Sequence, residues 1–248
     1  MKALILAAGV SSRLRPLTAS VPKCLLDIGG GTILGLTIEN LIANGIGDIV
    51  IVTGYRGDQV RSYVSDSFPA LDVRFVANER FDTTNNSYSL SLAEPAVAGE
   101  EVVLLDSDIV FDSRIIGLLL RSGRDSCLAM SRHGVLGDEE IKVALSPGGA
   151  VVRIGKDVPP GEAAGESIGI EKMSREFLST VYRMLRRLFR DGKNVNLFYE
   201  EAFQEAIRAG SMMYAVDVGT LGCIEVDTAA DLEAARAARA AASRIRRS

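Results

Sequence analysis

Residues 2–26 read KALILAAGVSSRLRPLTASVPKCLL. Residues 2–8 are a short, continuous apolar run without clean alternation, the pattern of a parallel strand covered on both faces. Gly9, Val10, Ser11 and Ser12 end it. Small residues after a buried strand let backbone N–H groups approach phosphate oxygens closely, and Arg13 and Lys23 bring cationic donors to the same place. A nucleoside triphosphate suits such a loop. The spacing is not that of the P-loop, whose Lys directly follows a Gly at a helix start, nor that of the dinucleotide G-x-G-x-x-G turn. On its own, a small-residue turn after a strand is common in α/β proteins whatever they bind.

Outward from this stretch the chain alternates. Residues 32–44 place Ile33, Leu36, Leu41 and Ile42 mainly on one side of a helix that stops at Asn44-Gly45. Residues 48–53 (DIVIVT) repeat the strand pattern, Gly54-Tyr55 closes it, and a second helical stretch leads to a strand at 72–77. This β-α-β-α-β order predicts a mostly parallel sheet with helices on both faces, in which ligands collect at the carboxyl ends of the strands. Further strands are expected at 101–105, 126–130, 141–145, 151–154 and 167–170. Between 181 and 189, Val181, Leu185, Leu188 and Phe189 face one way while Arg183, Arg186, Arg187 and Arg190 form a solvated face rather than a binding patch. The tail from about Ala229 reads as an Ala/Arg-rich helix. With no internal repeat and no long linker, residues 1–248 are expected to form one domain.

Composition limits the function classes. The 248 residues are 47% hydrophobic and 24% charged, enough for one substantial core. A net charge of -4 argues against nucleic-acid binding, which needs surplus Lys and Arg to neutralise phosphates. The apolar start is too short to span a membrane and is followed by no processing site. Cys24, Cys127 and Cys223 form neither a zinc-spacing cluster nor a disulfide framework, which fits a reducing cytoplasm.

Two acidic stretches follow. Leu104-Leu105-Asp106-Ser107-Asp108 puts two carboxylates where a buried strand meets a loop, and a hard cation with oxygen ligands would offset the cost of that placement. The plain alternative is one Asp capping the next helix and the other solvated. Cys223-Ile224-Glu225-Val226-Asp227-Thr228 repeats the logic, with Glu225 and Asp227 on one face of a strand. His133, the only histidine, reads as a surface or loop residue rather than a general base.

The loop, the Arg and the Pro22-Lys23 pair together resemble the nucleotidyltransferase family that activates sugar phosphates and related head groups. The resemblance covers nearly the whole chain and is strongest over residues 2–26. It implies a Rossmann-like, three-layer α/β/α fold of GT-A-like type with a mostly parallel mixed sheet. It also implies that Leu6, Ala7, Ala8, Gly9, Ser11 and Ser12 cradle the triphosphate while Arg13 and Lys23 hold its phosphates. Mg²⁺ would lie between Asp108 and Asp227, with Asp106 on the nucleotide side as an additional or water-mediated ligand. The chemistry would be in-line attack on the α-phosphorus without a covalent nucleophile.

Residues 83–90 (TTNNSYSL) offer amides and hydroxyls able to read a base edge or ribose, although a polar turn has the same composition. The string resembles the cytidylyltransferase branch serving phosphocholine and 2-aminoethylphosphonate, which makes CTP the expected donor, read by Asn85, Asn86, Ser87 and Ser89. In the same picture Lys156 faces the phosphate or phosphonate of the acceptor. Glu166, Tyr199 and Glu200 would make an acidic and aromatic corner for an amine or quaternary ammonium. Residues 1–110 would then be the NTP-binding half, and 111–248 the acceptor-binding half with the C-terminal helix. The expected partners are CTP and a small phosphate- or phosphonate-bearing acceptor, with no nucleic acid and no membrane, and with a homodimer left open. The competing readings are a sugar-1-phosphate nucleotidyltransferase using UTP, GTP or dTTP, a catalytically silent nucleotide-binding module, and a glycosyltransferase with a metal-holding Asp-x-Asp. The triphosphate-clasping loop disfavours the last.

Overall fold

The computed structural model describes residues 1–132, 136–190, 192 and 194–245; His133 lies outside them. The sheet begins with β1 (Lys2–Ala7), followed by α1 (Ile33–Ala43), β2 (Ile49–Thr53), α2 (Gly57–Ser67) and β3 (Val73–Ala77). Each residue from Ala3 to Ala7 in β1 is buried, as a strand covered on both faces must be. Thr32 caps α1 by accepting from Gly35 N at 3.0 Å, and Gly45, at φ +78°, ends the turn that follows.

Two short helices, α3 (Asn86–Leu92) and α4 (Glu94–Val97), lead into β4 (Val102–Asp106) and β5 (Ile109–Phe111). Then come α5 (Arg114–Arg121), β6 (Cys127–Ser131), β7 (Lys142–Leu145), β8 (Val151–Gly155) and β9 (Gly165–Met173). The chain closes with α6 (Arg175–Leu188), α7 (Tyr199–Arg208), β10 (Tyr214–Asp217), β11 (Cys223–Glu225) and α8 (Ala229–Ile245).

The main sheet runs β10-β6-β9-β4-β1-β2-β3, with β7 and β8 attached beside β9. Strands β4, β1, β2 and β3 are mutually parallel, as is the pair β10 and β6. Strand β9 is antiparallel to β4, β6 and β7 and makes the sheet mixed. It is also nine residues long, so the four-residue strand expected at 167–170 is only its middle.

Side chains alternate across the sheet. Leu4, Leu6, Val50, Val52 and Leu104 meet α3, α4, α6 and α7 on one face. Ala3, Ile5, Ile49, Ile51, Val103 and Leu105 meet α1, α2 and α5 on the other. The result is the expected α/β/α three-layer fold. A third core forms where Leu232 and Ala235 of α8 meet Leu14, Leu26, Ile28, Val110 and Val226. Arg183, Arg186, Arg187 and Arg190 are exposed, as their spacing predicts, and Arg186 is paired with Glu94. Among the described residues no helix is long and apolar enough to cross a membrane. Cys24, Cys127 and Cys223 are unpaired.

Candidate active site

Strand pairing places the first site residues. Leu6 of β1 lies opposite Asp106 of β4, so the small-residue loop and the first acidic stretch leave the sheet side by side at its carboxyl edge. A cleft of about 410 Å³ opens there. The backbone at Gly54 comes very close to the loop: a Cβ would sit 2.7 Å from Ala8 O and 2.6 Å from Phe81 Cβ. A Cβ at Gly9, by contrast, would meet nothing within 4 Å, so the loop presents open space to a ligand.

The second acidic stretch arrives through a two-stranded ribbon outside the main sheet. Strands β5 and β11 are antiparallel, with Ile109 opposite Glu225, and Val226 N donates to Asp108 O at 2.9 Å. Asp108 immediately precedes the ribbon and Asp227 closely follows it, so backbone pairing alone brings the two carboxylates together.

Lys23, only 7% exposed, fills the space between them, donating to Asp108 Oδ2 at 2.8 Å and to Asp227 Oδ1 at 2.6 Å. Arg13 reaches the other Asp227 oxygen at 2.7 Å. Burial by itself would lower the Lys23 value, but the charges and hydrogen bonds of Asp108 and Asp227 outweigh it and hold the ammonium above its usual range. Burial likewise pushes Asp227 up, yet Lys23 and Arg13 more than offset this and the carboxyl ends below its ordinary value.

Glu225, which the sequence placed only beside Asp227, completes the acidic group. One oxygen from each of Asp108, Glu225 and Asp227 lies within 4.8 Å of the others. Burial, then the charges of Asp108 and Asp227, raises Glu225 to about 7. An all-oxygen set of this kind fits a hard divalent cation. In the structure Lys23 and Arg13 supply the positive charge that the cluster requires. Asp106 does not join this group. Its Oδ2 accepts from Tyr199 Oη at 3.1 Å, and burial, followed by the charges of Asp108, Glu171 and Glu200, holds it well above the usual carboxyl range.

Leu6, Ala7, Ala8, Gly9, Ser11, Arg13 and Lys23 all line the cleft, as do Asn85, Asn86, Ser89, Asp106, Asp108 and Asp227. Ser12 is not on its wall. Ser87 is also displaced from its expected role: it is fully buried and its Oγ donates to Leu197 O at 2.6 Å, tying α3 to the segment before α7. Asn86 Oδ1 serves the same junction by accepting from Tyr199 N at 2.9 Å. Asn78, which the sequence reading missed, lines the cleft and orders its wall by donating to Thr84 Oγ1 and Ser89 Oγ.

On the acceptor side Lys156, Glu166 and Glu200 converge on the cleft, but Tyr199 does not. Tyr199 is 0% exposed, its ring tilted against Phe203 and its hydroxyl turned to Asp106 and Glu171, so its face cannot meet a ligand ammonium. Its neighbour Phe198 is on the cleft wall, as is Phe81, and Lys156 Nζ lies 4.8 Å from the Phe198 ring centre. Lys156 is held by Glu139 at 2.8 Å. Glu200 is 5% exposed, burial raises it to about 7, and its Oε2 has no hydrogen-bond partner among the described residues. Glu166 is raised by burial and then by Glu140.

A loop of small residues, cations and an acidic group that meet at the mouth of a parallel sheet is the equipment of an enzyme that handles a triphosphate, and the fold is that of the nucleotidyltransferases. A family model for the MobA-like NTP transferase domain matches residues 3–138, more than half of the chain, and the chain belongs to that family. It is 29% identical to the CTP:phosphoglutamine cytidylyltransferase of Campylobacter jejuni, over 94% of this chain and 98% of that one. It is 25% identical to the 2-aminoethylphosphonate cytidylyltransferase of Lancefieldella rimae, over 94% and 90% respectively. The solved CTP:phosphocholine cytidylyltransferase of Streptococcus pneumoniae superposes with a TM-score of 0.78 at 23% identity, covering 96% of this chain and 98% of that one.

Proposed function

We propose that this nucleotidyltransferase is a cytoplasmic cytidylyltransferase that transfers CMP from CTP to a small phosphate- or phosphonate-bearing acceptor with an amine or ammonium group, releasing pyrophosphate. The observation that carries the reading is Lys23, set between Asp108 and Asp227 at the end of the small-residue loop. The relatives' CTP-dependent activities support the choice of donor.

In this reading the loop from Leu6 to Ser11 receives the triphosphate, with Arg13 and Lys23 on its phosphate oxygens, and Asn85, Asn86 and Ser89 lie toward the nucleoside. Lys156 takes the acceptor's phosphate or phosphonate and exchanges Glu139 for it. Glu200 and Glu166 face the acceptor's cationic end. An acceptor oxygen attacks the α-phosphorus, a P–O bond forms there, and the bond to the β-phosphate oxygen breaks with the electron pair leaving on pyrophosphate. Arg13 and Lys23 stabilise the charge that moves onto the leaving group. Asp108 and Asp227, with Glu225 beside them, would hold Mg²⁺, which when bound offsets phosphate charge. One domain carries both tasks, with most NTP contacts from residues 1–110 and most acceptor contacts from 111–248.

The test is pyrophosphate release with CTP, UTP, GTP and dTTP against phosphocholine, 2-aminoethylphosphonate, an amino-acid amide phosphate and hexose 1-phosphates. CTP with an amine-bearing acceptor is the expected pair. Preference for UTP, GTP or dTTP with a hexose 1-phosphate would overturn the proposal.

A further inference from the structure

Asp231 lies in the first turn of α8, off the cleft wall, and one oxygen of its carboxylate gathers three donors. These are Thr228 N at 2.7 Å, Thr228 Oγ1 at 2.8 Å and Asp227 N at 3.1 Å. In return Thr228 Oγ1 accepts from Asp231 N at 3.2 Å. A reciprocal cap of this kind starts a helix. Here it reaches one residue further back, to the amide of Asp227 itself.

The same helix is fastened to the other half of the charged clasp. Arg236 Nε donates to Asp27 O at 3.0 Å, and Arg239 donates to Gly30 O at 3.1 Å. Leu232 and Ala235 pack in one cluster with Leu14 and Leu26, close in sequence to Arg13 and Lys23. Helix α8 therefore touches the segments that carry both cations and the carboxylate that they share.

The geometry points to Asp231 as a positioning residue that fixes the main chain of Asp227 and so aims its carboxylate at Lys23 and Asp108. With Val226 N bound to Asp108 O on one side and Asp227 N bound to Asp231 on the other, the backbone at the acidic residue has little freedom left. The inference rests on reading Asp227 as a ligand of the divalent ion.

Three variants test it: Asp231→Ala, Asp231→Asn, which keeps an accepting oxygen, and Ala237→Gly, which weakens α8 at an exposed position away from Asp227. Mn²⁺ binding followed by electron paramagnetic resonance is the main readout, with kcat and the KM for CTP beside it. Asp231→Ala is expected to weaken Mn²⁺ binding by about tenfold, the scale of an outer-shell partner. Asp231→Asn should stay near wild type, and Ala237→Gly should lower Tm without moving Mn²⁺ affinity. Equal Mn²⁺ affinity in Asp231→Ala and Ala237→Gly overturns the inference, as does an Asp231→Asn protein as weak as Asp231→Ala. Wild-type protein that takes up no Mn²⁺ would end the metal assignment instead. The crystal structure of Asp231→Ala then decides, because an Asp227 still bonded to Lys23 refutes the positioning role.

Discussion

Lys23 Nζ lies 2.6 Å from Asp227 Oδ1, a contact between residues 204 positions apart that joins the first loop of the chain to its last acidic stretch. Because the same ammonium also bonds Asp108 at 2.8 Å, removing it leaves two carboxylates facing each other. Lys23→Ala is expected to lower turnover by about 10²–10³-fold, the scale for one electrostatic donor at a reacting group. Divalent-ion binding should survive or tighten, since the competing cation is gone; isothermal titration with Mn²⁺ and pyrophosphate release measure the two effects. Turnover within a few-fold of wild type would remove Lys23 from the mechanism.

Glu200 gives a stability signal with a definite sign. Its folded value of about 7 lies above the unfolded value of 4.5, because burial disfavours the charged form. The folded state therefore holds the proton more tightly, and its stability falls as pH rises from about 4.5 through 7. Glu200→Gln should match wild type near pH 4.5 and exceed it by about 3 kcal/mol above pH 7. That gap corresponds to roughly 6–12 °C in Tm for a chain of this size. Thermal melts at pH 4.5, 6 and 8 test this, and a constant difference across them would contradict it.

If Lys156 serves the acceptor as proposed, its pairing with Glu139 should affect acceptor binding and not nucleotide binding. Lys156→Ala should raise the KM of the acceptor by about tenfold or more while leaving that of CTP nearly unchanged, as expected when one charge-assisted contact is lost. Glu139→Gln should act in the opposite direction and lower the acceptor KM by about two- to threefold, because this exposed pair is weak and its release frees Lys156. Parallel shifts of both KM values would place Lys156 elsewhere in the reaction.

Gly169 tests how tightly Asp106 is packed. A Cβ there would fall 2.6 Å from Asp106 Oδ2 at φ +70°, whereas one at Gly123, at φ +66°, would meet nothing within 4 Å. Gly123→Ala should cost only the left-handed backbone penalty, about 1 kcal/mol. Gly169→Ala should cost about 2–3 kcal/mol and also reduce turnover. Denaturant titration of both variants supplies the comparison, and equal losses would mean that the contact relaxes freely.

What the sequence disclosed depended on how local the cause was. The apolar runs of β1, β2 and β4 and the Asn44-Gly45 stop are visible because burial and helix termination act within a few residues. The pairing partners of polar side chains are not. Tyr199 Oη bonds Asp106, 93 residues away, and Ser87 Oγ bonds Leu197 O, 110 residues away, so neither sequence neighbourhood distinguishes a buried tie from a ligand contact. Helix α7 begins at Tyr199, a residue expected to contact the acceptor, because the period of its apolar face only becomes visible further along. Glu225 was legible as a neighbour of Asp227, because a two-residue spacing in a strand-like run puts both on one side; its closeness to Asp108 was not, because that depends on the pairing of β5 with β11.

The β5–β11 ribbon divides two duties between different parts of the same residues. Main-chain bonds at Ile109, Glu225 and Val226 hold the separation of the two acidic stretches, whereas the side chains at 108 and 227 only choose what charge or donor stands there. Replacing one of those carboxylates with histidine or a neutral amide would therefore leave the frame standing, with Lys23 still paired to the other. The position is suited to re-engineering for a softer ion, with the spacing inherited rather than redesigned.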